Sequence, residues 1–163
     1  MPKTGKGVYI KSNPSCGPGK TAEITDIVYE NITMYRPEWW AIWIGPQQQQ
    51  EPGSSLGDRC ALNYPIEDHC PTQGCVTFSG ITLKDIVVIE PWLAPGVILG
   101  NASNPIQGLV MDNVVFHFSE KSDKRTALTG ADGVGFPLGK DYQCNHTQLV
   151  VKGGTSPAPK CTA

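Results

Sequence analysis

The chain is poor in charge and leans toward neither sign. Asp, Glu, Lys and Arg make up 17% of its 163 residues and leave a formal net charge of −2, whereas roughly a quarter of an ordinary soluble domain is charged. That balance offers no electrostatic footprint for nucleic acid or for an anionic membrane surface. Long apolar runs are missing as well. Nothing approaches the roughly 18 residues of a membrane-spanning helix, and the opening residues MPKTGKG lack the apolar segment of a secretory leader. Taken alone, that start reads as cytosolic.

Turn formers, by contrast, are plentiful. The 18 glycines and 14 prolines make up about a fifth of the chain, against an average nearer ~12%, which is the composition of short strands joined by many turns. Six cysteines (Cys16, Cys60, Cys70, Cys75, Cys144 and Cys161) lie in Pro-, Gly- and polar-rich stretches. An even count in such settings suits a disulfide framework. Glycosylation sequons begin at Asn31, Asn101 and Asn145 and point to the same oxidising environment. The expectation is a secreted or cell-wall protein whose leader and N-terminal part lie upstream of Met1. The competing reading is a cytosolic protein with six reduced thiols.

The organisation is carried by repetition. ITDIVYENITM (24–34), FSGITLKDIVV (78–88) and IQGLVMDNVVF (106–116) each place an aliphatic residue four positions before an Asn or Asp and another directly after it. A shorter pattern alternates with them: GVYIK (7–11), AIWIG (41–45) and GVILG (96–100). None shows the sustained i, i+3, i+4 spacing of an amphipathic helix. Pairs such as Ile32 and Met34 fit short strands broken at the Asn, a residue type that tolerates the left-handed backbone of a tight turn. Two alternating strand types predict an all-β fold, a right-handed parallel β-helix in which each coil buries its inward face against the next. One domain over 1–163 is expected, with a loop insertion at 46–74 and a C-terminal cap or tail at 119–163.

Aligning the short strands assigns their faces. Val8, Ile42 and Val97 form one inward column and Ile10, Ile44 and Leu99 another, while Tyr9, Trp43 and Ile98 face outward with Lys11 beside the first. Trp43 is then at least partly exposed, on a ledge of aromatic and cationic groups where an indole face can stack on a sugar ring. Trp39 and Trp40 read as packing residues of the turn. The long loop, which holds Cys60 and Cys70 and ends next to Cys75, is placed to wall the ledge. Those cysteines and His69 also raise zinc, but their spacing is irregular and disulfides are favoured, so neither metal nor cofactor is expected. The run Gln47–Gln50 reads as a polar loop and Glu67–Asp68 as solvated loop charges. His117 and His146 have no acid or nucleophile partner in the sequence.

GVYIKS (7–12), followed by GPGKTAEITDIVYENITM (17–34), resembles the segment of glycoside hydrolase family 28, the polygalacturonase family, that carries an Arg-Ile-Lys motif. YQCNH (142–146) and SPAPKC (156–161) resemble the family's closing cysteine pair. The resemblance runs from Gly7 to Cys161 and corresponds to the C-terminal part of a family member, with a pectin lyase-like solenoid fold. It implies that Lys11 binds a galacturonate carboxylate as a point charge. Tyr9 stands where the family has arginine, which removes a two-pronged carboxylate clamp, and Gln48 falls where the family has a cleft tyrosine. The resemblance also implies that Cys144 pairs with Cys161; the other four, Cys16, Cys60, Cys70 and Cys75, are then expected to pair among themselves in a pattern left open. The family's hydrolytic aspartates, in Asn-Thr-Asp and Asp-Asp motifs, and its Gly-His-Gly histidine lie upstream of the lysine strand and have no counterpart here, so no catalytic residue is assigned.

The expected function is that of the C-terminal portion of a secreted, inverting polygalacturonase-like glycosidase. It acts on an acidic, pectin-type polysaccharide, is monomeric when complete, and is inactive as this stretch alone. The alternative is a non-catalytic β-helix module that binds or scaffolds polysaccharide. Two closely spaced aspartates and a histidine on preceding coils separate the two.

Overall fold

The computed structural model describes residues 7–12, 17–38, 40–46, 74–92, 95–119 and 141–162. Among them the only regular elements are strands: β1 (Val8–Lys11), β2 (Ala22–Thr25), β3 (Val28–Tyr35), β4 (Ile42–Gly45), β5 (Val76–Ser79), β6 (Thr82–Ile89), β7 (Gly96–Leu99), β8 (Ile106–His117), β9 (Gln143–Asn145) and β10 (Thr147–Lys152). All of them pair in parallel. A small sheet has the order β1-β4-β7-β9 and a large one the order β2-β5-β8-β6-β3, with β10 added on β8. In chain order the polypeptide visits the small sheet and then the large one, and each visit lays its strand beside that of the visit before. The short sequence repeats are the small-sheet strands and the long repeats are the large-sheet strands. Repetition in sequence is therefore repetition in space.

The Asn or Asp of each long repeat sets the bend. Asn31, Asp85 and Asn113 have φ of 57, 50 and 56°, and the pairing of Ile32 with Ile86 and of Ile86 with Val114 puts them in one column. The left-handed residue turns the strand between two aliphatic positions so that both point inward. The amide of Asn113 donates to Asp85 Oδ1 at 2.7 Å, tying successive bends together. Asp26, Gly80 and Gly108 form a second left-handed column, closed by backbone bonds from Asp26 to Ser79 and from Gly80 to Gln107. Arg36 and Glu90 form a third, where their side chains also pair at 2.6 Å.

The core lies between the sheets. Inward columns of the large sheet, Tyr29–Leu83–Met111, Ile32–Ile86–Val114 and Met34–Val88–Phe116, join Val8, Ile10, Ile42, Ile44 and Ile98 of the small sheet in one apolar cluster. Leu83, Ile86 and Val88 are fully buried, each contributing about 1.5–3 kcal/mol relative to exposure. Their counterparts on the first strand, Tyr29 and Ile32, are only half-buried. On the outer face runs a column of alternating charge, Glu30–Lys84–Asp112–Lys152. Its first pair is joined at 2.5 Å, and that hydrogen bond is the main cause of a raised Lys84 pKa.

Three expectations need correction. In β7 the faces are offset by one residue: Gly96 pairs with Ile42, Val97 with Trp43 and Ile98 with Ile44. Ile98 is therefore the inward residue and Val97 stands in line with Tyr9, while Leu99 is only half-buried. The inward position opposite Ile42 is taken by a glycine because a side chain there meets the Tyr142 ring and the Ile42 backbone. Second, Trp43 is fully buried; β4 is covered on both faces. Third, the stretch expected as a tail contributes β9 and β10 to the two sheets. Only the segment after β10 behaves as a cap. Phe116 N donates to Ser156 O, Ser156 N to Val114 O and His146 N to Thr162 O, and a disulfide joins Cys144 to Cys161.

Candidate functional site

The outward face of the small sheet is the place where the cation and the aromatics meet. Val8 and Ile10 of β1 point into the core, so Tyr9 and Lys11 share the other side, both half-buried. Register puts Tyr9 level with Trp43, Val97 and Gln143, and Lys11 level with Gly45. Leu99 and Asn145 pair farther along the same face. Lys11 thus lies beside a position without a side chain. Burial raises the pKa of Tyr9, so at neutral pH it is an uncharged phenol next to an ammonium.

Trp43 takes a different part. Its indole Nε1–H donates to Pro46 O at 2.8 Å, and its ring packs against Trp40 at 5.1 Å with a tilt of 58°. A fully buried indole with its donor satisfied is a packing element of the sheet, which removes it as an open platform for a sugar. Gln48, Trp39, Cys16, Cys60, Cys70, His69, Gln47–Gln50 and Glu67–Asp68 lie outside the described residues.

Carboxylates are placed elsewhere. The small-sheet strands read VYIK, IWIG, GVIL and QCN, without a single acid. Of the acids of the large sheet, Glu23 of β2 is level with Thr77 of β5, and Glu30, Asp85 and Asp112 stand in its outer columns with Lys84 and Asn113. No cluster of metal-ligating side chains occurs among the described residues, and Cys75 is held in a disulfide, which leaves no thiolate there for zinc. His117 is exposed at the end of β8, and its carbonyl accepts from Glu90 N. His146 sits at φ 44° with its backbone engaged by Ile106 and Thr162.

The sequons differ in setting. Asn31 is exposed at the bend of β3. Asn101 Oδ1 accepts from Ser103 N at 2.9 Å and from Ser103 Oγ at 2.7 Å, while Asn145 Oδ1 accepts from His146 N and Thr162 Oγ1. Two structural side chains escaped the sequence reading. Asn104 donates to Gly74 O, Val76 O and Thr77 Oγ1 at 3.1–3.2 Å, which pins the start of β5. Tyr142 is buried edge-on to Phe116 at 5.9 Å, and its hydroxyl finds no hydrogen-bond partner among the described residues. Neither lies in a repeat, and that is the signal that was missing.

By fold the chain is an all-β protein of two parallel sheets. No protein-family model, no curated protein and no solved structure matches it.

Proposed function

We propose that the chain is the C-terminal part of a secreted polygalacturonase-like glycosidase. In this reading its sheets are the last coils of a right-handed parallel β-helix, and the half-buried Tyr9 and Lys11 at the β1 edge of the small sheet contribute to a cleft for pectin-type polysaccharide. The observation that supports it is the position of Lys11, on the outward side of β1 with Tyr9 and level with Gly45. An ammonium there receives a uronate carboxylate as a point charge, and Tyr9 adds a neutral hydroxyl where a second cation would give a planar clamp. Inverting hydrolysis needs an acid and a base on opposite sides of the bond. The small sheet carries neither, so the chain's own role is to bind.

The test is a calorimetric titration of oligogalacturonate, free and fully methyl-esterified, into the chain and its Lys11→Ala variant. The variant is expected to lose about 1.5–3 kcal/mol of binding to the acidic oligomer and to hold the ester unchanged. Tyr9→Arg is expected to tighten binding of the acid. Equal losses on both oligomers would reduce Lys11 to a support of its strand and end the uronate reading.

A further inference from the structure

Asparagine side chains are held in this fold in two ways. Asn104 and Asn113 lie outside the sequons and are held through nitrogen. Asn104 Nδ2 donates to Gly74 O, Val76 O and Thr77 Oγ1, and Asn113 Nδ2 donates to Asp85 Oδ1. Carbonyls and carboxylates only accept, so the atom facing them is the amide nitrogen. Asn145, which opens the sequon Asn145-His146-Thr147, is held through oxygen. Its Oδ1 accepts from His146 N at 2.8 Å and from Thr162 Oγ1 at 3.0 Å. A backbone N–H only donates, so it fixes which way the amide is turned and leaves Nδ2 on the other side. There Nδ2 has no hydrogen-bond partner among the described residues. Asn145 pairs with Leu99 on the outward side of the small sheet and is half-buried.

We infer that Asn145 carries an N-linked glycan and that the C-terminal cap closes with the glycan in place. Transfer joins C1 of the first sugar to Asn145 Nδ2, breaks that sugar's bond to a lipid-linked diphosphate donor of the secretory apparatus, and passes a proton from Nδ2 to the departing diphosphate. The product is still a planar amide with its oxygen intact. Both bonds that hold the Asn145 side chain are made by that oxygen, so neither is lost, and the N–H exchanged for sugar is one that the fold does not use. The same exchange at Asn104 removes a donor from the start of β5. Order of synthesis allows the transfer. In the closed state the Thr147 hydroxyl is turned back to Asn145 O at 2.8 Å, and Cys144, next to Asn145, is bridged to Cys161. Cys161 and Thr162 are made after the sequon, so the sequon meets the transferase before the cap shuts over it. The inference rests on the secretory part of the proposed function and not on its polysaccharide.

The test is to make the chain behind a secretory leader in a eukaryotic host, collect it from cells and medium together, and digest it without reduction. A peptide that contains Cys144 also contains Asn145, so one cystine-linked peptide pair reports bridge and glycan together by mass spectrometry. Release of the glycan by an amidase in heavy-oxygen water marks each occupied Asn as labelled Asp. Most molecules are expected to carry the label at Asn145 and to have Cys144 joined to Cys161. Thr147→Ala is expected to abolish the label at Asn145 and to leave Asn31 and Asn101 as in the parent. Occupancy is read on the digest and does not require the variant to fold. Trimming the glycan from the folded protein is expected to leave the His146 amide as protected from hydrogen exchange as before. Asn145 found bare, with or without sugar at Asn31 or Asn101, overturns the proposal. So does a glycan at Asn145 confined to molecules in which Cys144 and Cys161 are not joined, or a His146 amide protected only after trimming. A chain glycosylated at Asn145 that binds no oligogalacturonate keeps this inference and loses the uronate reading.

Discussion

Asn113 combines two functions in one side chain: it holds φ at 56° and donates to Asp85 at 2.7 Å. A left-handed backbone costs an ordinary residue about 1–2 kcal/mol, and the hydrogen bond contributes about 0.5–1.5 kcal/mol more. Asn113→Ala is therefore expected to destabilise by about 2–3 kcal/mol and Asn113→Gly by less, since glycine recovers the backbone part. Urea titrations that rank alanine above glycine would contradict the bend assignment. Tyr142 gives a second test at this scale. Burial holds its pKa well above the ordinary 10.0, so above that pH the unfolded chain sheds a proton that the folded chain keeps. Stability is then complete below the unfolded pKa and is lost as pH climbs toward the folded one, by about 1.4 kcal/mol per unit for one proton. Tyr142→Phe is expected to flatten that alkaline slope and to leave neutral stability unchanged or improved, because the buried hydroxyl it removes has no partner among the described residues.

Strands repeat with the sequence, and position in the stack decides what each repeat is worth. Ile32 and Ile86 occupy equivalent positions and pair directly, yet Ile86 is fully buried while Ile32, on the edge strand, is half-buried. Ile86→Ala is expected to cost about 2–5 kcal/mol and Ile32→Ala clearly less in the isolated, monomeric chain. Chemical denaturation that gave equal losses would mean that something covers the β3 edge under the conditions used. The same two residues show what the sequence made legible. The aliphatic-Asn-aliphatic repeat marked the bends of the large sheet, because a left-handed residue and its flanking aliphatics leave a local trace. Alternation likewise placed Tyr9 and Lys11 on the outward side of β1. It did not reveal that Trp43 is covered, since alternation tells which way a side chain points and not what lies over it. Nor did it fix β7, where a glycine holds an inward place for the distant Tyr142 and every neighbour is apolar. The strand β10 stayed hidden because Gly153 stands where the other large-sheet bends carry Asn or Asp, and β9 because QCN lacks the apolar alternation of β1 and β4.

Among the described strands of each sheet, each pairs with the strand laid down before it and the one laid down after it, so the last strands depend on what closes them. At the C-terminal end that closure is the segment after β10. Thr155 Oγ1 accepts from Val114 N, Ser156 bridges Val115 and Thr162 bridges Asn145, and the disulfide Cys144–Cys161 closes a loop with a sequence separation of 17. A loop of that size restricts the unfolded chain by roughly 3 kcal/mol. Cys161→Ser is expected to lower stability by about 2–4 kcal/mol, and the loss should fall unevenly. Without the bridge, residues 155–162 are held by a few backbone bonds at an exposed edge, and such segments open on their own. Hydrogen exchange is therefore expected to accelerate most at the amides of Phe116, His146 and Ser156, which bond to or within the cap. Leu83 and Val88, in the buried middle layer, should accelerate only by the global loss. A uniform acceleration at all of these amides would show that the cap and the layers unfold as one unit, and that the disulfide acts on the whole stack rather than on its last layer.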